Sequence, residues 1–216
     1  MNNILITGGS SGLGFELAKL YSQKNHVIIV GRSINKLNIA RESLRQLGGS
    51  CDSYVCDLSK VEDIHALTNT IEKKYQSLDT LINNAGVGYF GPLKDLTLSE
   101  LNQMLDLNVK ATILMTQSFL PLLRHQLINI ISTAGLRGKV NETAYVASKF
   151  AVRGFTESLQ KEYKDKLSIT AVYMGGMNTA FWDNSDHISD KSRLKDPQTI
   201  ALEIIKHQHQ EEIIID

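Results

Sequence analysis

Residues 3–22 constrain this chain more than any other stretch. An apolar run, Ile4-Leu5-Ile6, meets Thr7-Gly8-Gly9-Ser10-Ser11-Gly12-Leu13-Gly14, after which Phe15, Leu17, Ala18, Leu20 and Tyr21 continue at helical spacing. Strand, glycine-rich turn and helix in that order open a parallel βαβ arrangement. The glycines permit a tight turn and close approach of the backbone to a ligand. The helix that follows offers unpaired N–H groups and a positive dipole end, which together suit a pyrophosphate. The spacing is T-G-x-x-x-G-x-G, not G-x-G-x-x-G.

The same alternation continues along the chain. His26 to Val30 reads as a second strand, Ile34 to Leu47 as a helix closed by Gly48-Gly49, and Ser50 to Val55 as a third strand. Val61 to Tyr75 is helical, and Asp79 to Ile82 leads as a fourth strand into Asn83-Asn84-Ala85-Gly86. A long helix is expected from Ser99 toward Pro121, with Asn108 in its middle. Asparagine competes for backbone groups and sits poorly in a helix interior, so a local opening is expected there. Leu127 to Ile131, Leu167 to Tyr173 and Glu212 to Ile215 complete the strands, with a last helix from Pro197 to His209. This pattern predicts an α/β fold: a doubly wound parallel sheet of about seven strands flanked by helices on both faces.

Residues at the ends of these strands carry the chemistry, because open parallel sheets bind ligands at their C-terminal edge. Just past the second strand stand Gly31-Arg32-Ser33, with no acid to bond a ribose 2′-hydroxyl and a guanidinium able to fork onto a 2′-phosphate, so NADP is the cofactor expected. Asp57 follows the third strand and could bond an adenine amino group or cap the next helix. Ser132 ends the fifth strand. Tyr145 and Lys149 lie four apart on a helix and therefore share a face, with Cβ atoms about 5–6 Å apart. A fixed cation at that range is expected to lower the tyrosine pKa toward neutrality and make a usable proton donor and acceptor.

Formal net charge is zero, which leaves no basic surface for nucleic acid or anionic membrane, and points to small-molecule chemistry. No apolar run approaches a membrane span and no leader is evident, so a soluble, cytoplasmic protein is expected, one domain over residues 1–216. Cys51 and Cys56 are expected as buried free thiols facing opposite ways. His207 and His209 are two apart on one helix, so no metal site is expected.

Thr7-Gly8-x-x-x-Gly12-x-Gly14, Asn83-Asn84-Ala85-Gly86, Asn108, Ser132 and Tyr145-x-x-x-Lys149 fall in the order and spacing of the short-chain dehydrogenase/reductase family, compact single-domain type, which the chain resembles over essentially its whole length. The resemblance implies a catalytic set of Asn108, Ser132, Tyr145 and Lys149. It implies cofactor contacts from Gly8, Ser11, Gly12, Leu13, Gly14, Arg32, Asp57, Leu58, Asn84, Ala85, Gly86, Tyr145, Lys149 and Thr179, and a homodimer or homotetramer. The chain departs from that pattern in having Met174-Gly175 where the family commonly has Pro-Gly, and in a short lid over about 176–196. The activity implied is hydride transfer between NADP(H) and a carbonyl or alcohol. Two other readings remain: an NADP-binding redox-sensing regulator without turnover, and an epimerase or dehydratase on the same fold. The substrate pocket is expected between Val87 to Phe90, Leu136, Val140, Phe181 and Trp182, with Arg137 a solvated cation nearby. Such walls favour a neutral aldehyde or ketone.

Overall fold

The computed structural model describes residues 1–183, 185, 187–188 and 190–216; positions 184, 186 and 189 of the expected lid lie outside the described residues. Seven strands pair in parallel: β1 (Asn3–Thr7), β2 (His26–Gly31), β3 (Ser50–Val55), β4 (Leu78–Asn83), β5 (Leu123–Ile130), β6 (Ser168–Met174) and β7 (Glu212–Ile215). Their order is β3-β2-β1-β4-β5-β6-β7. The chain winds outward from β1 to β3, then returns to the other side of β1 to lay down β4. The switch point, and with it the crevice at the strand ends, therefore falls between β1 and β4.

Strand residues alternate between two cores, as the period-2 geometry of a strand requires. Ile4, Ile6, Val27 and Ile29 pack against α1 (Gly12–Ser22), α2 (Ile34–Gln46) and α7 (Pro197–His207). Leu5, Ile28 and Val30 pack against α3 (Val61–Lys74), α5 (Ala111–Phe119) and α6 (Thr143–Glu162). Burying each such Leu or Ile side chain stabilises the fold by about 1.5–3 kcal/mol. Cys51 joins the first core and Cys56 the second, both as free thiols.

One polar ladder runs through the second core. Asn83 and Asn129 stand opposite in the β4–β5 register, and the Asn83 amide donates to Asn129 Oδ1 and Thr116 Oγ1, each at 2.9 Å. Asn129 in turn donates to Thr156 Oγ1 of α6 at 2.9 Å. These bonds satisfy the buried amide donors, while Asn83 Oδ1 has no hydrogen-bond partner among the described residues.

The helix expected from Ser99 toward Pro121 is three segments: α4 (Leu98–Met104), a π-helical turn over Leu105–Lys110, and α5. Asn108 lies in the π turn, so the expected opening is there. Thr97 starts α4 with a capping box to Glu100. β5 begins at Leu123, earlier than the apolar pattern suggested, because exposed Arg124 and His125 interrupt the hydrophobic run without interrupting the ladder. α7 ends at His207, which leaves His209 beyond it. Among the described residues no helix is long and apolar enough to cross a membrane.

Candidate active site

The glycine turn after β1 is built against the end of β4. Thr7 Oγ1 accepts the backbone N–H groups of Asn84 (2.9 Å) and Ala85 (3.0 Å), and the Asn84 amide donates to Thr7 O at 2.9 Å. Gly8 and Gly12 have φ of +66° and +53°, a region that side chains with a Cβ rarely adopt. Gly14 is required for space: a Cβ there would lie 2.3 Å from Gly8 O and 2.5 Å from Asn84 Nδ2. The first turn of α1 is thereby pressed onto the loop, with its free N–H groups facing a cavity of about 420 Å³.

At one end of this cavity Arg32 and Lys36 line the wall with Ser33, beside the start of α2. Ser33 caps that helix, accepting the Lys36 N–H at 3.4 Å. The first turn of α2 has no acidic residue and carries a cation instead, against the dipole preference, an arrangement that an anion at this end would reward. Lys36 was missed in the sequence, although a lysine in a helix's first turn beside Arg32 was the available signal. Cys56 and Leu58 line the cavity while Asp57 does not. The Asp57 carboxylate accepts from Ser59 N and Oγ at 3.2 and 2.7 Å, closing a local turn instead of capping α3. Partial burial raises its pKa, but Ser59 and the nearby Arg32 and Lys60 outweigh that and lower it.

At the other end stand Ser132, Tyr145 and Lys149, all buried and all on the cavity wall. Ser132, two residues past β5, has φ +128°, a strained conformation for a residue with a side chain, and its Oγ accepts from Ala134 N at 3.2 Å. Lys149 Nζ lies 5.7 Å from the Tyr145 ring centroid and donates to Ile130 O at 3.3 Å. Asn108 sits behind Gly86, not on the wall. Its side-chain amide exchanges two 2.8 Å bonds with the Val87 backbone and donates to Ser148 Oγ at 3.0 Å, and its backbone carbonyl accepts from Thr112 Oγ1 at 2.8 Å. Ser148 Oγ closes the circuit on Tyr145 O at 2.7 Å. A Cβ on Gly86 would press to 3.2 Å from Asn108 Oδ1, so this loop passes the site as bare backbone.

The expected lowering of the Tyr145 pKa is not found. Burial raises it well above the phenol range; hydrogen bonding with Ser132 opposes the rise and the charge of Glu142 adds to it. Lys149 is itself pushed down to about 8 by burial. Helical spacing gives the proximity of the two groups, but their joint removal from water decides the sign.

The remaining residues named from the sequence divide. Gly8, Ser11, Gly12, Leu13, Arg32, Leu58, Asn84, Ala85, Gly86 and Thr179 line the cavity; Gly14, Asp57 and Asn108 support it from behind. Phe181 and Trp182 are on the wall, and Phe90 stands edge-on to Tyr145 with centroids 5.3 Å apart. Val140 is 84% exposed and Leu136 packs on Ile131 and Val152, so neither bounds the pocket. Arg137 is exposed, 3.9 Å from Asp216. Met174, Gly175 and Met177 also line the cavity, as does Glu142, an acid one turn before Tyr145 that no sequence motif marks.

A family model described as short chain dehydrogenase matches residues 2–189. An uncharacterised oxidoreductase of Escherichia coli strain K12, YciK, is 32% identical over 206 residues, covering 91% of this chain and 82% of its own. A short chain dehydrogenase of Shigella flexneri 2a strain 301, crystallised with NADP, is 29% identical with a TM-score of 0.89, covering 99% of this chain and 96% of its own. Another, from Escherichia coli CFT073 and crystallised with NADPH, is also 29% identical at a TM-score of 0.89, covering 100% and 95%. The sheet order, the glycine turn against Asn84 and the buried Ser132, Tyr145 and Lys149 agree with that likeness, and the chain belongs to the short chain dehydrogenase family of oxidoreductases.

Proposed function

We propose that residues 1–216, acting as one unit, catalyse reversible reduction of an uncharged aldehyde or ketone with NADPH. The observation that carries this is the placing of buried Tyr145, Lys149 and Ser132 at one end of a single cavity whose other end carries Arg32 and Lys36. The dinucleotide fits the residues present: the glycine turn is a cradle that side chains would fill, and two cations suit a 2′-phosphate beside a helix start. NADP and NADPH in the two solved relatives support the same choice. When bound, the cofactor supplies the hydride.

Tyr145 gives its proton to the carbonyl oxygen as that oxygen becomes an alkoxide. Its raised pKa keeps it protonated at neutral pH and hence ready to act as the acid. Lys149, still largely a cation at pH 7, stabilises the phenolate that remains and holds the nicotinamide ribose. Ser132 holds the carbonyl oxygen by a hydrogen bond that strengthens as charge develops. Asn108 acts by position: its side-chain amide fixes the Val87 loop, and its backbone carbonyl, in the π turn, is assigned a water that serves Lys149. A regulator without turnover would have no need of this buried set.

The aromatic wall and the acid Glu142 disfavour an anionic substrate. On the surface, Thr143, Ala147, Phe150, Ala151 and Gly154 make an exposed stripe on α6, with Leu105 and Ile113 exposed on the neighbouring π turn and α5. Small and apolar residues so placed suit an isologous dimer, able to pair again as a tetramer, and a cytoplasmic setting fits the chemistry. NADPH consumption across neutral aldehydes and ketones and matched anionic analogues tests the reading. Turnover confined to the anionic members, or to none, overturns it.

A further inference from the structure

The chemistry above leaves one buried charge of the cavity without a task. Glu142 stands at the start of α6, three residues before Tyr145, with only 7% of its surface exposed. Its Oε1 accepts from His187 Nε2 at 3.0 Å. Rings gather at His187 and Tyr145: Phe90 stacks on His187 and Trp182 with centroids 4.8 and 5.0 Å apart, and Phe181 lies 6.0 Å from both Phe90 and Tyr145. A carboxylate held in such a wall is costly unless a donor meets it. Among the described residues that donor is His187, which lies outside the strands and α-helices that carry the rest of the site.

We propose that Glu142 is a specificity-determining residue: it accepts a hydrogen bond from a hydroxyl or ammonium group carried by the substrate away from its carbonyl. His187 fills that place in the structure, and the cavity-lining rings of Phe181 and Trp182 receive the apolar body. The preferred substrate class is then an aromatic or alicyclic carbonyl compound bearing a hydrogen-bond donor. Stacking on rings favours a flat body, and the carboxylate adds a directional contact to it. Carboxylate-bearing analogues meet like charge and are rejected. This inference rests on the hydride-transfer reading and narrows it.

The test is steady-state kinetics on four ketones that share one aryl skeleton and differ in a single substituent: methyl, hydroxymethyl, aminomethyl or carboxylate. The unmodified protein should favour one or both donor-bearing ketones over the methyl compound by about tenfold or more in kcat/KM, chiefly through KM, and disfavour the carboxylate. Glu142→Gln keeps an acceptor and loses the charge, so an aminomethyl preference should fall while a hydroxymethyl preference survives in part. Glu142→Met keeps the bulk and loses both, so either preference should vanish. Equal kcat/KM for methyl and donor-bearing ketones in the unmodified protein overturns the proposal. So does a preference that persists in Glu142→Met, or a uniform fall across all four substrates, which would make Glu142 a fastener for the His187 segment alone. If none of the four is reduced while another neutral aldehyde or ketone is, the class proposed here is overturned and the hydride-transfer reading stands; if no neutral carbonyl compound is reduced with NADPH, both fail.

Discussion

Gly14→Ala should disable cofactor binding by displacing backbone. The added methyl would begin 2.3 Å from Gly8 O, 2.5 Å from Asn84 Nδ2 and 2.9 Å from Gly8 C, where ordinary contact needs 3.4 Å or more. The neighbours are backbone and an amide already bonded to Thr7 O, so α1 must retreat from the loop by about 1 Å, a strain that ordinarily costs about 1–3 kcal/mol. That shift also moves the N–H groups aimed into the cavity. Loss of even one charge-assisted hydrogen bond, about 1.5–3 kcal/mol, weakens affinity by about tenfold to a hundredfold. Gly48→Ala is the matched control: its φ is +81° but a Cβ meets nothing within 4 Å, so it should cost about 1–2 kcal/mol of stability and leave cofactor affinity alone. Thermal unfolding and NADPH fluorescence titration on both variants read the two effects separately. Unchanged NADPH affinity in Gly14→Ala, or equal loss of affinity in Gly48→Ala, would refute the steric reasoning.

Arg32→Asp should reverse or greatly reduce a preference for NADPH over NADH, and Lys36→Ala should weaken NADPH alone; equal affinity of the unmodified protein for both cofactors would remove the basis for either expectation. Reduction should depend on pH through Lys149: its cation is present below about 8 and lost above, so kcat/KM should fall as pH rises through that value, and a flat profile to pH 10 would contradict the role given to it. Far from the site, burial raises the Asp52 pKa but hydrogen bonds from Lys74 and Tyr75 and the His26 charge outweigh it, leaving about 2. A lowered carboxylate stabilises the fold above its unfolded pKa of about 3.9 and loses that contribution as pH falls toward 2, so the melting temperature of Asp52→Asn should be lower near neutrality and converge with the unmodified protein in acid.

Much of this was legible because periodicity and turn chemistry are local. The strands, the glycine turn, the break at Asn108 and the sharing of one helix face by Tyr145 and Lys149 all follow from neighbours in sequence. What was not legible depends on burial and on segments distant in the chain. The Tyr145 pKa moves up because desolvation, with the Glu142 charge, outweighs the Ser132 hydrogen bond, and no spacing rule reports desolvation. The amide clamp of Asn108 on Val87 joins residues 21 apart, and the Glu142 contact with His187 joins residues 45 apart. Leu136 and Val140 were assigned to the pocket by their place after Ser132, but the short helical turn at Thr133–Gly135 carries the chain onto the Val152 side.

In the proposed reaction Tyr145 delivers the proton during hydride transfer. The most direct test of that step is single-turnover oxidation of bound NADPH by a carbonyl that the unmodified protein reduces, compared with Tyr145→Phe. Removing one hydroxyl leaves the ring packed against Phe90 and Phe181, so NADPH affinity should be nearly unchanged while the rate falls by about a hundredfold or more. A Tyr145→Phe protein that oxidises NADPH at the unmodified rate, with its fold intact, would contradict the account.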